Sequence, residues 1–497
     1  MFFTKTNILQ KQYYSSKRYV LYVLDNPYLF IKNIIALSSI LLSFINTHFS
    51  ILFLLFYVES FKNKTIKFKF TNRVKRHLII FLILNMISLI LFLIIKKFPI
   101  YLMITIYALM YWISFVFSVF IEKIILFHYI NKAKNKLKEC KTKIIAITGS
   151  YGKTSCKNYI YELIKDKYNV LITNKSYNTL NGILLTINNY LKPYHEYLIL
   201  EIGVDEVNGM NKFIKHFKFD IGLITCIGHQ HIKTFKGIDN IAKEKIKLLY
   251  NCKECVVINE DDKYLNKLNF NIKKITCSIN KNSFINVVRR SIDEIDVIIN
   301  NNTYSSKYYL LGKHNLNNLA LSIGVAKALN IDDVHIISHI ERLKNVKHRL
   351  SLSIFNNWTI IDDSYNSNIN GFLNALDELN NSENLKILIT PGIIENKDSN
   401  KLLIDKINNI CDLVLLTSNF KTFDKIKNKM KFNSFIEAFN YLKNNYMNTN
   451  ITLLIENDIP EIFLRWLNER KYHYDLWWQL CRTWNQYCHS ITNQKKL

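Results

Sequence analysis

The chain has 497 residues, room for about three domains at roughly 150 residues each, and its 49% hydrophobic fraction is enough for sizeable cores. A net charge of +27 implies negative partners (nucleotides, anionic lipid heads or nucleic acid) or else a solvated, Lys-rich surface. Nine scattered cysteines include one C-x-x-C, Cys252 and Cys255, with no second to complete a zinc site; this argues against a disulfide framework and for reduced thiols in a cytoplasmic setting.

The first part of the chain reads as membrane helices. A basic stretch (Lys5, Lys11, Lys17, Arg18) precedes the apolar run Asn33–Glu59, which is broken near Asn46-Thr47-His48. A basic loop over residues 61–77 follows, and then two uncharged stretches, Leu78–Ile95 and Ile100–Ile121, each near the ~20 residues a spanning helix needs. The repetition and length argue against a cleavable signal peptide. Buried helices of a soluble domain are the alternative. Positive charge favours the cytoplasmic side, so four spans place the N-terminus, the 61–77 loop and everything after Glu122 inside, with Lys96-Lys97 outside against the rule. The expectation is a multi-pass cell-membrane protein with its catalytic domains on the cytoplasmic side.

After a charged linker, Asn131–Lys143, the short apolar strand Ile144–Ile147 runs into Thr148-Gly149-Ser150-Tyr151-Gly152-Lys153-Thr154-Ser155, and a helical segment follows to Lys167. Strand, Gly-rich turn and helix are the context a phosphate cradle requires. Gly149 and Gly152 let backbone N–H groups approach anionic oxygens, and the helix N-terminus adds partial positive charge. Lys153 supplies a full charge to the β- and γ-phosphates, and the Thr154 hydroxyl suits Mg²⁺. The longer Walker pattern would place Gly at 147, where Ile147 stands; the match is to the shorter T-G-x-x-G-K-T.

Further motifs follow in order: Ser176-Tyr177-Asn178-Thr179-Leu180-Asn181-Gly182; a strand ending in Glu201-Ile202-Gly203; Gly228-His229-Gln230-His231; Ile241-Ala242-Lys243-Glu244-Lys245; Asn259-Glu260-Asp261-Asp262; Gly312-Lys313-His314-Asn315-Leu316-Asn317-Asn318; Lys347-His348-Arg349; and Asp362-Asp363-Ser364-Tyr365-Asn366-Ser367-Asn368. With the phosphate loop, this series resembles the Mur ligase family from about Lys143 to Pro460, and within it the branch that adds D-alanyl-D-alanine to the muramoyl tripeptide. Departures stand at Ser176 and Thr179, at His348 where the family has Gly, and at Ile369 where it has Pro.

The resemblance implies roles for individual residues. Glu201, acidic at a strand's carboxyl end beside the phosphate loop, is placed where a Mg²⁺ ligand belongs. His231 would contact a second metal; alone, it reads as a solvated loop histidine. Lys245 matches the family's carbamylated lysine, which becomes an anionic ligand; alone, it reads as an exposed helix lysine. The metal set is therefore Thr154, Glu201, His231 and Lys245. The nucleotide set is Gly149, Ser150, Gly152, Lys153, Thr154, Ser155, Asn259, His314, Asn318, Arg349 and Asp363, although Asn and His also serve as helix caps. Lys153, Lys245, His231 and Arg349 form the catalytic set, with Arg349 pairing with the transferring phosphate.

The fold expected is α/β: a membrane region of about four helices over 1–135, a P-loop-type central ATP-binding domain over 136–340, a smaller doubly wound C-terminal domain over 341–466, and a tail over 467–497. In that tail Trp477, Trp478 and Trp484, with Trp466 just before it, are interleaved with basic residues; they suit a membrane interface, packing on another domain or an oligomer contact equally. The function implied is an ATP- and Mg²⁺-dependent carboxylate–amine ligase acting through an acyl phosphate. Its partners are a muramoyl-peptide or related carboxylate, an amine or dipeptide, and membrane lipid, with no nucleic acid. The alternatives are an amidating ligase on a lipid-linked precursor and a non-catalytic ATP-binding scaffold.

Overall fold

The computed structural model describes residues 70–94 and 102–457, apart from 175, 292, 366–367, 394–396 and 419–420. The two spans expected within Asn33–Glu59 and the Trp-rich tail lie outside the described residues. The chain forms two compact units, Met1–Lys132 and Ala133–Leu497.

In the first unit, runs of Leu, Ile and Phe without Gly or Pro form two helices, α1 (Asn72–Ile94) and the leading part of α2 (Leu102–Cys140). Their seam buries Val74, Phe81, Tyr111 and Phe115. It also carries polar contacts: Arg76 Nε donates to Glu122 Oε1 at 2.7 Å, and the His77 ring meets Ser114 Oγ at 3.1 Å.

This corrects the expected membrane topology. Two described helices are long and apolar enough to cross a bilayer, by length and composition alone. The fourth span was to end at Ile121, yet α2 runs on through Glu122 and Lys123 to Cys140. A charged pair does not interrupt the i→i−4 ladder, and Glu122 is engaged by Arg76 across the seam. The described residues show no clear multi-pass architecture, so the multi-pass cell-membrane localisation is set aside.

The second unit contains two sheets. The larger has nine strands in the order β2-β3-β1-β4-β5-β6-β7-β8-β9. These are β1 (Lys143–Thr148), β2 (Val170–Ile172), β3 (Tyr197–Glu201), β4 (Phe219–Ile224), β5 (Cys252–Asn259), β6 (Lys273–Ser278), β7 (Ile285–Arg289), β8 (Glu294–Ile299) and β9 (Asn302–Lys307). Strands β2 to β7 pair in parallel, and β8 and β9 extend the sheet antiparallel.

β1 lies inside this sheet between β3 and β4, and Ile144–Ile147 is buried throughout, as a continuous apolar run covered on both faces should be. One face is packed by α3 (Lys153–Ile164), α6 (Lys313–Ala328) and α7 (Asp333–Ile340) through Ile160, Leu163, Leu319, Ile323 and Ile336. Between these in sequence come α4 (Leu180–Tyr190), capped by the Thr179 hydroxyl, and α5 (Ile238–Ile246).

The smaller sheet has the order β10-β11-β15-β12-β13-β14. A two-residue turn at Asn356, φ 51°, joins β10 (Ser351–Phe355) to β11 (Trp358–Asp363) as a hairpin. β12 (Leu385–Thr390), β13 (Leu413–Leu416), β14 (Lys429–Lys431) and β15 (Ile451–Glu456) complete it in parallel. Helices α8 (Ile369–Asn380) and α9 (Ile404–Ile410) cover one face, and α10 (Phe435–Tyr446) the other, so this sheet is doubly wound. Ile369, which replaces the family's Pro, is the first residue of α8 after the Asn368 cap. That position has no intrahelical N–H partner, so Pro and other residues both fit there.

Candidate active site

β1 delivers the chain to the carboxyl edge of the larger sheet, where β3 and β4 diverge on either side. The turn beyond it depends on two glycines. Gly149 has φ 143° and Gly152 φ 79°; a Cβ would stand 1.9 Å from Thr225 Oγ1 at the first and 2.3 Å from Asn318 Oδ1 at the second. A side chain at either place would collide with a packed neighbour on a backbone that L residues rarely adopt.

The next strand's exit holds the loop from below. Ser150 N donates to Cys226 O at 2.8 Å, Gly228 N donates to Ser150 Oγ at 2.8 Å, and the Thr225 hydroxyl donates to Tyr151 O. Asn259 Nδ2 in turn donates to Thr225 O at 3.0 Å. Asn259 therefore supports the loop through β4.

Four charged or hydroxyl side chains converge beside this turn. Thr154 Oγ1 donates to Glu201 Oε2 at 2.9 Å. Lys157 Nζ lies 3.4 Å from the same oxygen and donates to Thr173 O at 2.9 Å. From the smaller domain, Arg349 Nη2 reaches Thr154 Oγ1 at 3.4 Å. Asn178 Nδ2 approaches the other Glu201 oxygen at 3.5 Å.

Two lysines cross the loop itself. Lys153 Nζ donates to Gly149 O at 2.7 Å and Ser150 O at 3.2 Å. Lys245, buried in α5, donates to Gly149 O. Burial pushes the Lys153 amine below its usual range, opposed by Glu201 and aided by Arg349. Lys245 is driven well below, first by burial and then by the Lys153 charge.

The remaining expected residues lie in different settings. His231 has a left-handed backbone, φ 58°, ahead of the short helix Ile232–Phe235. Among the described residues no three His, Cys, Asp or Glu side chains gather at metal-binding distance. Glu201 and His231 thus belong to no such group. The Thr154 hydroxyl and Glu201 carboxylate are hard oxygen donors that fit Mg²⁺; the Lys245 amine fits only once converted to an anion. Ser155 is buried within α3, and Asn318 is buried beneath Gly152, its Nδ2 on Asn315 Oδ1 at 2.9 Å.

His314 opens α6, and burial, with Arg349 adding, lowers its pKa to about 4. Asp363 accepts from Leu350 N at 3.0 Å, and burial raises its carboxyl to about 6 against the opposing pull of Arg349. His348 adopts φ 64°, the left-handed region where the family's Gly is at ease, and its Nδ1 meets Asp362 Oδ2 at 2.7 Å.

Sequence reasoning missed Lys157 as a site residue. The available signal was its place three residues after Thr154 on a helix, on the same face. It also missed the contact of Tyr365 with Ser176, which joins segments 189 residues apart.

Residues 147–326 match the family model of the Mur ligase middle domain. A UDP-N-acetylmuramoyl-tripeptide–D-alanyl-D-alanine ligase of Buchnera aphidicola subsp. Baizongia pistaciae is 29% identical over 262 residues, 51% of this chain and 57% of the relative. A ligase of the same name from Buchnera aphidicola subsp. Acyrthosiphon pisum is 27% identical, covering 64% of this chain and 74% of its own. Among solved structures, the MurF ligase of Thermotoga maritima in complex with ADP aligns with TM-score 0.60 and 21% identity over 69% of this chain and 84% of that one. The chain thus spans little more than half the length of the first relative it matches. The structural likeness establishes the fold, and these matches to ligases, with only two described apolar helices, overturn the multi-pass membrane localisation.

Proposed function

We propose that the chain, whose residues 147–326 match the Mur ligase middle domain and whose α/β fold is like that of a solved Mur ligase, is an ATP-dependent carboxylate–amine ligase acting on a peptidoglycan precursor, with a central ATP-binding domain and a smaller C-terminal domain. The observation that carries this reading is the Thr154–Glu201 pair beside the Gly149–Gly152 turn, with Arg349 arriving from the smaller domain. We take 136–340 and 341–466 as the two catalytic domains.

When bound, ATP supplies a phosphoryl group to the substrate carboxylate, making an acyl phosphate whose carbon the amine attacks as phosphate leaves. The chain positions and neutralises rather than reacting covalently. Backbone N–H groups of the loop and the start of α3 hold phosphate oxygens. Lys153 leaves the carbonyls of Gly149 and Ser150 to meet the terminal phosphates. Thr154 and Glu201 would hold Mg²⁺, which neutralises charge on those oxygens. Arg349 stabilises the charge that develops on transfer, and Asp363, His314 and Asn318 line the nucleotide side. His231 and Lys245, the latter as a carbamate, are assigned to a second cation.

The names of the relatives direct the substrates: a muramoyl tripeptide as carboxylate and D-alanyl-D-alanine as amine. A lipid-bearing acceptor is a second reading, favoured by exposed Ile83, Met86, Ile90 and Leu93 on α1. Mass analysis of products from the purified full chain, given MgATP, D-alanyl-D-alanine and either acceptor, tests both. A product gaining one dipeptide with equimolar ADP supports the ligase, and the acceptor consumed decides between the readings. Absence of both products rejects them.

A further inference from the structure

Outside the loop, one side chain contacts both domains at the site's rim. Tyr365 follows β11 in the smaller domain and is 39% exposed, so no core requires it. Its hydroxyl donates to Ser176 Oγ at 2.9 Å, in the segment after β2 of the central domain. Its ring lies under the Arg349 guanidinium, 4.5 Å from Cζ to the ring centre. Its N–H donates to His348 O at 3.2 Å, so ring and backbone both brace the segment that carries Arg349. The same segment after β2 bears Asn178, whose amide approaches Glu201. Ser176 departs from the family pattern, so this bond belongs to this chain's own residues.

We infer that Tyr365 is a positioning residue: its ring aims Arg349 at Thr154, and its hydroxyl fastens that arrangement to Ser176, favouring the closed pair of domains before nucleotide binds. This rests on the ligase reading, because it takes Arg349 to act on the transferring phosphate. The two contacts have separable effects. A hydrogen bond between exposed hydroxyls holds the domains together and governs nucleotide capture. The ring, through its attraction for the cation, governs where the guanidinium points.

The test uses the full chain with Tyr365→Phe, Ser176→Ala, the double variant and Tyr365→Leu. Measurements are MgATP affinity, KM and kcat, and small-angle scattering of the nucleotide-free protein. Tyr365→Phe keeps the ring and should raise KM for ATP about two- to tenfold, with kcat within about twofold. Ser176→Ala should do the same, and the double variant should be no worse than either, because both remove one bond. Tyr365→Leu should also lower kcat about two- to fivefold. The nucleotide-free radius of gyration should rise in all four. Effects that multiply in the double variant, wild-type kcat in Tyr365→Leu, or unchanged scattering would overturn the inference. Wild-type protein that binds no MgATP overturns the ligase reading and this inference together; wild-type binding with uncoupled variants overturns this inference alone.

Discussion

The amines of Lys153 and Lys245 both donate to the carbonyl oxygen of Gly149, each at 2.7 Å. Two ammonium groups at one buried acceptor repel each other, and the more buried of them, Lys245, is the one driven well below its usual pKa. A lowered pKa eases loss of the ammonium proton, and the free amine is a nucleophile for carbon dioxide: the nitrogen–carbon bond forms as one carbon–oxygen π bond opens onto oxygen, the nitrogen loses a proton, and the group becomes an anion. Stripping bicarbonate should therefore lower activity reversibly, and intact-mass analysis should show one added carbon dioxide that Lys245→Ala lacks. The variant should lose at least about 100-fold in kcat. Full activity in bicarbonate-free buffer would contradict this.

Gly152 tests the cradle by geometry alone. Its φ of 79° and the 2.3 Å approach to Asn318 Oδ1 leave no place for a methyl group. Gly152→Ala should weaken nucleotide binding at least about tenfold, since both strain and a clash distort the N–H groups. Calorimetric titration with ATP measures this; wild-type affinity would mean that nucleotide binds elsewhere.

Arg349 reaches Thr154 across the domain boundary, so its contribution depends on a planar fork held at a distance. Arg349→Lys keeps the charge and loses the fork. The expected outcome is a fall in kcat of about 100-fold with KM for ATP little changed, as for a donor that acts on the transition state. A change confined to KM would assign Arg349 to ground-state binding.

His314 gives a pH signature. Burial holds its folded-state pKa at about 4, below the ordinary imidazole value of 6.5. Between those values the unfolded chain binds a proton that the folded chain does not, so stability is full above 6.5 and falls as the pH drops toward 4. His314→Gln should flatten that part of the curve of unfolding temperature against pH. An identical slope in the variant would show that His314 does not titrate as placed.

How far the sequence was legible depended on whether a residue's role was local. Gly149, Gly152, Lys153 and Thr154 were readable because a strand, a turn and a helix start lie within a dozen residues, and the structure sets them there. Glu201 was readable as the end of an apolar strand. Lys157 was not, because a lysine on a helix ordinarily faces water; only the pairing of β1 with β3 brings Glu201 over it. Tyr365 and Ser176 meet through domain packing, which leaves no local trace. Ile100–Ile121 was legible only as an uncharged run; that the helix α2 carries on to Cys140, with Glu122 paired to Arg76, depends on a contact 46 residues away.

The direct test of the phosphate site is ATP turnover by the purified full chain, wild type against Lys153→Ala, with D-alanyl-D-alanine and a muramoyl tripeptide present. Amine-dependent ADP release by the wild type, reduced at least about 100-fold in the variant, is the expected result. ADP release that survives within about tenfold in Lys153→Ala would show that phosphoryl transfer does not occur at the Gly149–Thr154 turn.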